Sequence, residues 1–255
     1  MTNQQISVVI NTYNASKYLT QVLDAVKNFD EIVVCDMEST DNTVDIAREH
    51  GCKIVTFPKA NHKSAEPART FAIQSATSDW VLVVDADEVV SESLRSYLYD
   101  FIKDPGKIRG LYIPRKNYTM KVFLPSSYPD YQLRFFIKEG TTWPPYVHTF
   151  PKVQGALDYI PKSRKDCAFD HLDDSTRACI NRLNNYTDNE VEKRAFKKVT
   201  LFKLIASPMV RFLKQYFIKG GIFYGIPGYV QAMRSAQYKF TVLCKVYEQQ
   251  VGIGA

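Results

Sequence analysis

Three carboxylates within four residues close the most apolar run of the chain: Trp80-Val81-Leu82-Val83-Val84 leads directly into Asp85-Ala86-Asp87-Glu88. A short, continuous apolar run reads as a buried parallel strand, and in open α/β sheets ligands bind at the carboxyl ends of such strands. Asp85 and Asp87 are two residues apart, so an extended chain would point both side chains the same way. Two carboxylates forced together repel. A hard divalent ion such as Mg²⁺ or Mn²⁺, which takes a few carboxylates plus substrate phosphates, relieves that repulsion. The plain alternative is a strand that stops in a solvated acidic turn, since so short a motif means little without its context. A second acid, Asp36, ends another buried-type run, Glu31-Ile32-Val33-Val34-Cys35. A buried strand rarely ends in an acid without a partner, and Asp36 could accept hydrogen bonds from a base or a ribose. Ser39, Thr40 and Asp41 just beyond it are suited to capping the helix that follows.

The elements that must position these residues are legible in the first hundred positions. Ile6 to Ile10, Glu31 to Cys35, Lys53 to Phe57 and Trp80 to Val84 read as strands. Ser16 to Phe29, Asp41 to His50, Ser64 to Ala76 and Ser91 to Lys103 read as helices, the first from Tyr18, Leu19, Val22, Leu23 and Val26 at helical spacing. This βαβαβαβ alternation predicts an α/β, Rossmann-like fold with a mostly parallel sheet. No Gly-x-Gly-x-x-Gly follows the first strand; Asn11-Thr12-Tyr13-Asn14 stands there instead, against a dinucleotide site of that kind. From Arg109 the pattern changes to short strands (Gly110 to Pro114, Leu133 to Ile137, Val147 to Phe150) joined by loops rich in Pro, Tyr and Gly. The connection from Tyr118 to Tyr131 is long enough to suggest function. After Asp173 the chain turns helical: Arg177 to Arg194, then Phe196 to Phe217 interrupted at Pro208, then Tyr229 to Gln249 beyond the glycines at 220, 221, 225 and 228. The expected division is a catalytic domain over 1–172 and a helical extension over 173–255.

Charge separates the same two parts. From Lys193 onward eleven basic residues face one acid, Glu248, a balance of +10, which leaves −4 on the preceding part of a chain whose total is +6. A basic tail on an acidic body suggests an anionic partner. No nucleic-acid recognition module is apparent, so an anionic membrane surface is the expected one, with apolar and basic residues sharing helices that can lie in the interface. The alternative is a bundle packing its apolar stripe internally. Five scattered cysteines without a Cys-x-x-Cys pair suggest reduced thiols in the cytoplasm. The N-terminus lacks the pattern of a signal peptide, and no window is apolar enough to span a bilayer. The expected location is cytoplasmic, peripheral on the inner face of the cell membrane.

Taken in order, Ser7-Val8-Val9-Ile10-Asn11-Thr12-Tyr13-Asn14, Val33-Val34-Cys35-Asp36 through Ser39-Thr40-Asp41, and Asp85-Ala86-Asp87-Glu88 resemble a family 2 glycosyltransferase. The resemblance continues in Glu66-Pro67-Ala68-Arg69, in Tyr128-Pro129-Asp130-Tyr131-Gln132-Leu133-Arg134-Phe135-Phe136, in Val147-His148, and in Phe217-Ile218-Lys219-Gly220-Gly221. These later motifs are similar to the branch that includes the lipopolysaccharide inner-core β-1,4-glucosyltransferases. The resemblance implies the nucleotide-diphospho-sugar transferase (GT-A) fold. It also implies a metal-dependent, inverting transfer of a sugar, most simply a hexose such as glucose, from a UDP-sugar to a hydroxyl of a cell-envelope glycan or glycolipid. Carried onto this chain, it puts Thr12 and Tyr13 at the base, Asp36 on the uracil or ribose, Arg69 near the nucleotide and Asp85 on the ribose side. Asp87 would ligate Mn²⁺ or Mg²⁺, joined by His148, with His171 as the rival histidine. Inversion requires a general base, for which Asp130 is the first candidate and Glu139 is less well placed. Relatives in this branch often read Val-His-Glu where this chain has Val147-His148-Thr149, and a threonine cannot replace a basic glutamate.

Two other functions fit part of the pattern. The apolar run followed by Asp-x-Asp also resembles the haloacid-dehalogenase nucleophile motif, with Asp85 attacking phosphate, although that motif usually opens its fold and here three βα units precede it. A nucleotide-sugar-binding protein at the membrane surface that has lost its base is the other, suggested by Thr149. Trp143 and tyrosines 118, 128 and 131 could stack on sugar rings or pack in the core.

Overall fold

The computed structural model describes residues 4–62, 64–145, 149–172, 175–194 and 198–253. The chain divides into two compact units, one of Met1–Lys116 with Tyr128–Leu172, the other of Asn117–Ser127 with Asp173–Ala255.

The first unit is built on β1 (Ile6–Thr12), β2 (Glu31–Asp36), β3 (Lys53–Thr56) and β4 (Trp80–Asp85), joined through α1 (Ser16–Val26), α2 (Thr43–Glu49) and α3 (Glu66–Gln74). These strands are parallel, with β1 central between β2 and β4. Beyond β4 lie α4 (Glu92–Lys103), β6 (Ile108–Ile113), β9 (Gln132–Ile137) and β10 (Ala156–Tyr159). They complete a seven-stranded sheet in the order β10-β6-β9-β4-β1-β2-β3. β9 runs antiparallel to both its neighbours. The sheet is therefore mixed but mostly parallel, as the alternation predicts.

Residues alternate across this sheet as strand geometry requires. Ile6, Val8, Ile10, Leu82 and Val84 pack with Leu19, Val22, Leu23, Leu94 and Leu98 of α1 and α4. Val9, Val33, Cys35, Val81 and Val83 pack on the other face with Ala68, Ala72 and Ile73 of α3. All of β1 and the first five residues of β4 are buried, which explains why both read as unbroken apolar runs.

Several expectations need correcting. β4 ends at Asp85, the next two residues form a tight turn, and a new short strand, β5 (Glu88–Val90), begins at once. Asp85 and Asp87 are therefore not successive same-face residues of one extended strand. β5 pairs antiparallel with β11 (Phe169–His171); neither was expected, because three residues are too few to show a period. The connection from 118 to 131 is not an unstructured loop. β7 (Arg115–Thr119) turns back into β8 (Val122–Phe123), pairing Tyr118 with Phe123, and residues 125–127 form a 3₁₀ turn. Thr149 and Phe150 are not in a strand, and Val147 and His148 lie outside the described residues.

The second unit carries α5 (Thr176–Arg194), α6 (Leu201–Leu213) and α7 (Gly225–Gln250). Pro208 does not break α6, although it removes one i→i−4 donor. A π-helical turn spans Lys214–Ile218 and a 3₁₀ turn Gly221–Tyr224. α7 starts at Gly225 and takes in Pro227, because the first turn of a helix needs no backbone donor there. Gly220 adopts φ 74°, and a Cβ at Gly228 would lie 1.9 Å from the Gly221 carbonyl, so this turn needs glycine at both ends of its close approach. Within the same unit the 117–127 segment is tied to the helices by Gln215 donating to Ser126 Oγ at 2.8 Å.

Candidate active site

The candidate side chains gather at the carboxyl ends of β1, β2 and β4. Strand register alone brings Thr12 opposite Asp36 and Asn11 opposite Asp85. Thr12 Oγ1 donates to Asp36 Oδ1 at 2.8 Å, and Ser39 donates to the same carboxylate from its hydroxyl at 2.6 Å and from its backbone N–H at 2.8 Å. Asp36 is thus a buried acid stabilised by three neutral donors. The adjoining turn is closed by Asn14, at φ 48°, whose side-chain oxygen accepts the Thr40 N–H. Tyr13 is exposed, with Lys59 Nζ 4.8 Å from its ring centroid. Thr12, Tyr13 and Asp36 are therefore together, as the sequence pattern expects. Asp41 lies one residue before Asn42, the N-cap of α2; its carboxylate accepts from Ser16 N at the start of α1 and from Thr43 at the start of α2, and against the upward push of burial these bonds hold it down at about 2.

The end of β4 is organised by charge. Strand alternation turns Asp85 toward α3, where Arg69 donates to its Oδ1 at 2.7 Å, while Arg134 of β9 donates to its Oδ2 at 2.5 Å. Burial would raise the Asp85 pKa, but the two guanidiniums outweigh it and hold the carboxyl well below its usual range. Both guanidiniums are themselves buried. Trp143 lies against them, 4.5 Å from Arg69 and 5.2 Å from Arg134 to the ring centroid, a cation–π arrangement. Its backbone is fixed by Thr70, whose hydroxyl accepts the Trp143 N–H at 2.9 Å. Arg69 is therefore not a surface ion pair, and Trp143 backs the arginines rather than offering a sugar platform. Tyr128 and Tyr131 likewise donate their hydroxyls to the Lys162 and Ile160 carbonyls. Among the described residues, the Nε and Nη1 of Arg69 and Arg134, the Trp143 Nε1 and the Asn11 amide are buried without a hydrogen-bond partner. Buried polar groups left this way are costly.

The following acids have different partners. Glu88 is fully buried; it accepts Arg115 Nη1 at 2.9 Å and the Asp85 N–H at 3.1 Å. Arg115 also reaches Asp130 Oδ2 from Nε at 3.0 Å and Nη2 at 2.8 Å, while Gln132 donates to Asp130 Oδ1. Arg115 so bridges the β5 acid to the candidate base. Asp87 meets His171, Nε2 to Oδ2 at 3.3 Å, because β11 pairs with β5 and sets His171 opposite Glu88. The Leu172 N–H adds a bond to the Asp87 carbonyl at 2.8 Å. Burial pulls the His171 pKa down, but the hydrogen bond to Asp87 and its charge more than offset that and raise it. His171, the rival histidine, is placed at Asp87; His148 lies outside the described residues.

The profile described as "Glycosyl transferase family 2" matches residues 7–153, more than half of the chain. The chain belongs to glycosyltransferase family 2. This glycosyltransferase is 27% identical to an uncharacterized glycosyltransferase of Rickettsia typhi, over 96% of the chain and 87% of that protein. It is 24% identical to the lipopolysaccharide core biosynthesis glycosyltransferase LpsC of Rhizobium meliloti, over 96% and 92%. A mannosyltransferase of Pyrobaculum calidifontis, solved with GDP-mannose and Mn²⁺, superposes with a TM-score of 0.57 at 13% identity, covering 96% of the chain and 88% of its own. The transferase has the GT-A fold. The phosphohydrolase alternative falls with this: both Asp85 oxygens are held by arginines, which leaves that carboxylate no freedom to attack phosphate.

The sequence pattern passed over Arg115, and gave Arg134 no role although its motif was noted. The signal for Arg134 was an arginine in a short strand that otherwise reads apolar and aromatic, since a buried guanidinium needs carboxylates to face; Arg115 opens the polar strand Arg-Lys-Asn-Tyr-Thr, which carries no such signal.

Proposed function

We propose that this glycosyltransferase moves a hexose from a UDP-sugar, with inversion and with metal assistance, to a hydroxyl of a cell-envelope glycan or glycolipid. The observation that carries the proposal is the pairing of two sites along one sheet edge: Thr12, Tyr13 and Asp36 for the nucleoside, and Asp87 with His171 beside the arginine-held Asp85 for the diphosphate. The name of the relative LpsC favours an envelope glycan as acceptor.

The residues fit a divalent cation. Asp87 offers hard oxygen and His171 an imidazole nitrogen, both suited to Mn²⁺, and Asp87 alone would suffice for Mg²⁺. Among the described residues no group of three or more such side chains gathers, so the nucleotide phosphates would complete the shell. When bound, the ion would neutralise the charge that develops on the departing nucleoside diphosphate. Asp36, fixed by Thr12 and Ser39, keeps a rigid acceptor for a base or ribose donor. Asp85 acts through its arginines: it holds Arg69 and Arg134 at the strand end, where their remaining N–H groups can meet an anion.

Proton removal from the acceptor hydroxyl falls to Asp130. Thr149 has no basic group, and its hydroxyl donates to the Pro144 carbonyl. Asp130 Oδ2 faces Arg115, and its Oδ1 accepts from the Gln132 amide. Release of UDP from UDP-glucose and other UDP-hexoses, with Mn²⁺ and envelope glycan acceptors, tests the proposal. Asp130→Asn keeps the Arg115–Glu88 pair and should lower transfer by about 10²–10⁴-fold with UDP binding intact. Full transfer by that variant would reduce Asp130 to an anchor of its loop, and turnover of GDP-sugars alone would overturn the UDP assignment.

A further inference from the structure

We propose that the second unit docks on an anionic lipid bilayer through one continuous surface: α6, the π-helical turn 214–218, the 3₁₀ turn 221–224 and the first turn of α7. α6 is apolar over most of its thirteen residues, yet none of them is buried. Phe202, Ile205, Met209 and Leu213 recur at helical spacing and all are exposed, so they form one outward stripe. The stripe continues past the helix end. Ile218 is 79% exposed, Phe223 85% and Ile226 73%. Among the described residues the interior of this unit is meanwhile small: its buried cluster is Val199, Val242 and Val246, with Val191, Leu204, Tyr238 and Leu243 against it. Apolar residues that should build a core therefore face outward, well beyond the scattered exposure normal for a surface.

Charge identifies what covers them. Lys198, Lys203, Lys214 and Lys219 are exposed among these residues, and no acid occurs between Lys193 and Tyr247. On the α6 wheel Lys203 and Lys214 flank the same edge of the apolar stripe. A second copy of this surface would bring lysine against lysine with no carboxylate to answer them. An anionic headgroup layer supplies the missing counter-charge, and the acyl boundary beneath it takes the Phe and Ile side chains, as for an interfacial amphipathic helix. Among the described residues no helix is long and apolar enough to cross a membrane, so the contact lies in the plane of the interface. This inference does not depend on which sugar or acceptor the transferase uses.

The test is flotation of the full chain with phosphatidylcholine vesicles, with and without phosphatidylglycerol. The two tryptophans, Trp80 and Trp143, are buried in the first unit, so Phe223→Trp adds an exposed reporter. The expected results are binding to the anionic vesicles only, weakened by high salt, and a blue shift of the introduced indole's emission with quenching by brominated acyl chains. The pair Ile218→Glu with Phe223→Glu, at exposed positions, should leave the thermal transition unchanged and abolish binding. Lys203→Glu with Lys214→Glu and Lys219→Glu should weaken it by more than about tenfold. Three results would overturn the proposal: no binding to anionic vesicles at low salt, binding indifferent to both sets of substitutions, or self-association without vesicles that Phe223→Glu dissolves.

Discussion

The two units handle charge and apolar surface in opposite ways. At the edge of the first unit's sheet, Glu88, Arg69 and Arg134 are withdrawn from water and Asp85 partly so, and each is answered: Asp85 by the two arginines and Glu88 by Arg115, while Phe and Ile side chains fill two internal faces. In the second unit lysines of one sign stand in solvent beside exposed Phe and Ile, and few apolar residues are inside. The first arrangement is closed: its charges shape a site. The second is open: exposed lysines and exposed apolar groups stand side by side at its surface. A buried ion pair is weak evidence of stability but a strong constraint on geometry, because removing one partner strands the other.

That contrast is sharpest at Asp85. Asp85→Ala leaves two buried guanidiniums facing each other and should cost about 3–5 kcal/mol, read as a lower urea midpoint at unchanged slope. A loss no larger than that of a surface change would mean that water, not Asp85, balances the arginines. His171 gives a smaller, pH-dependent effect. Its pKa is raised above the ordinary value near 6.5 by Asp87, so the pair stabilises the metal-free fold fully below about pH 6.5. That contribution is lost as pH rises through the raised value. Thermal melts in EDTA should show this slope in the wild type and not in His171→Gln; equal slopes would remove the pairing. Phe223→Ser should be the mildest, within about 0.5 kcal/mol of the wild type. A large loss there would show Phe223 to be packed and would close the open surface.

The sheet of the first unit was legible because buried parallel strands announce themselves as unbroken β-branched runs, and their acids fall at the ends. Thr12 and Asp36 could be paired from such runs, since parallel register sets one strand end beside the next. What followed Asp85 was not legible. The turn at 86–87 and the three-residue strands β5 and β11 have no period to read, so nothing local tied His171 to Asp87 across more than eighty intervening residues. Arg115 was hidden in a segment that looks like the start of a loop. In the second unit the charge bias was plain, but whether the apolar stripe faced in or out is decided only by packing; α6, with no buried residue, faces out.

The central claim is that Asp87 and His171 serve a metal-assisted nucleotide-sugar site. Calorimetric titration of UDP, with and without Mn²⁺, into wild type, Asp87→Ala and His171→Ala tests it most directly. The account predicts Mn²⁺-dependent binding that Asp87→Ala abolishes and His171→Ala weakens, in proteins that remain folded. UDP binding that ignores both substitutions, or no UDP binding with any divalent ion, would contradict it.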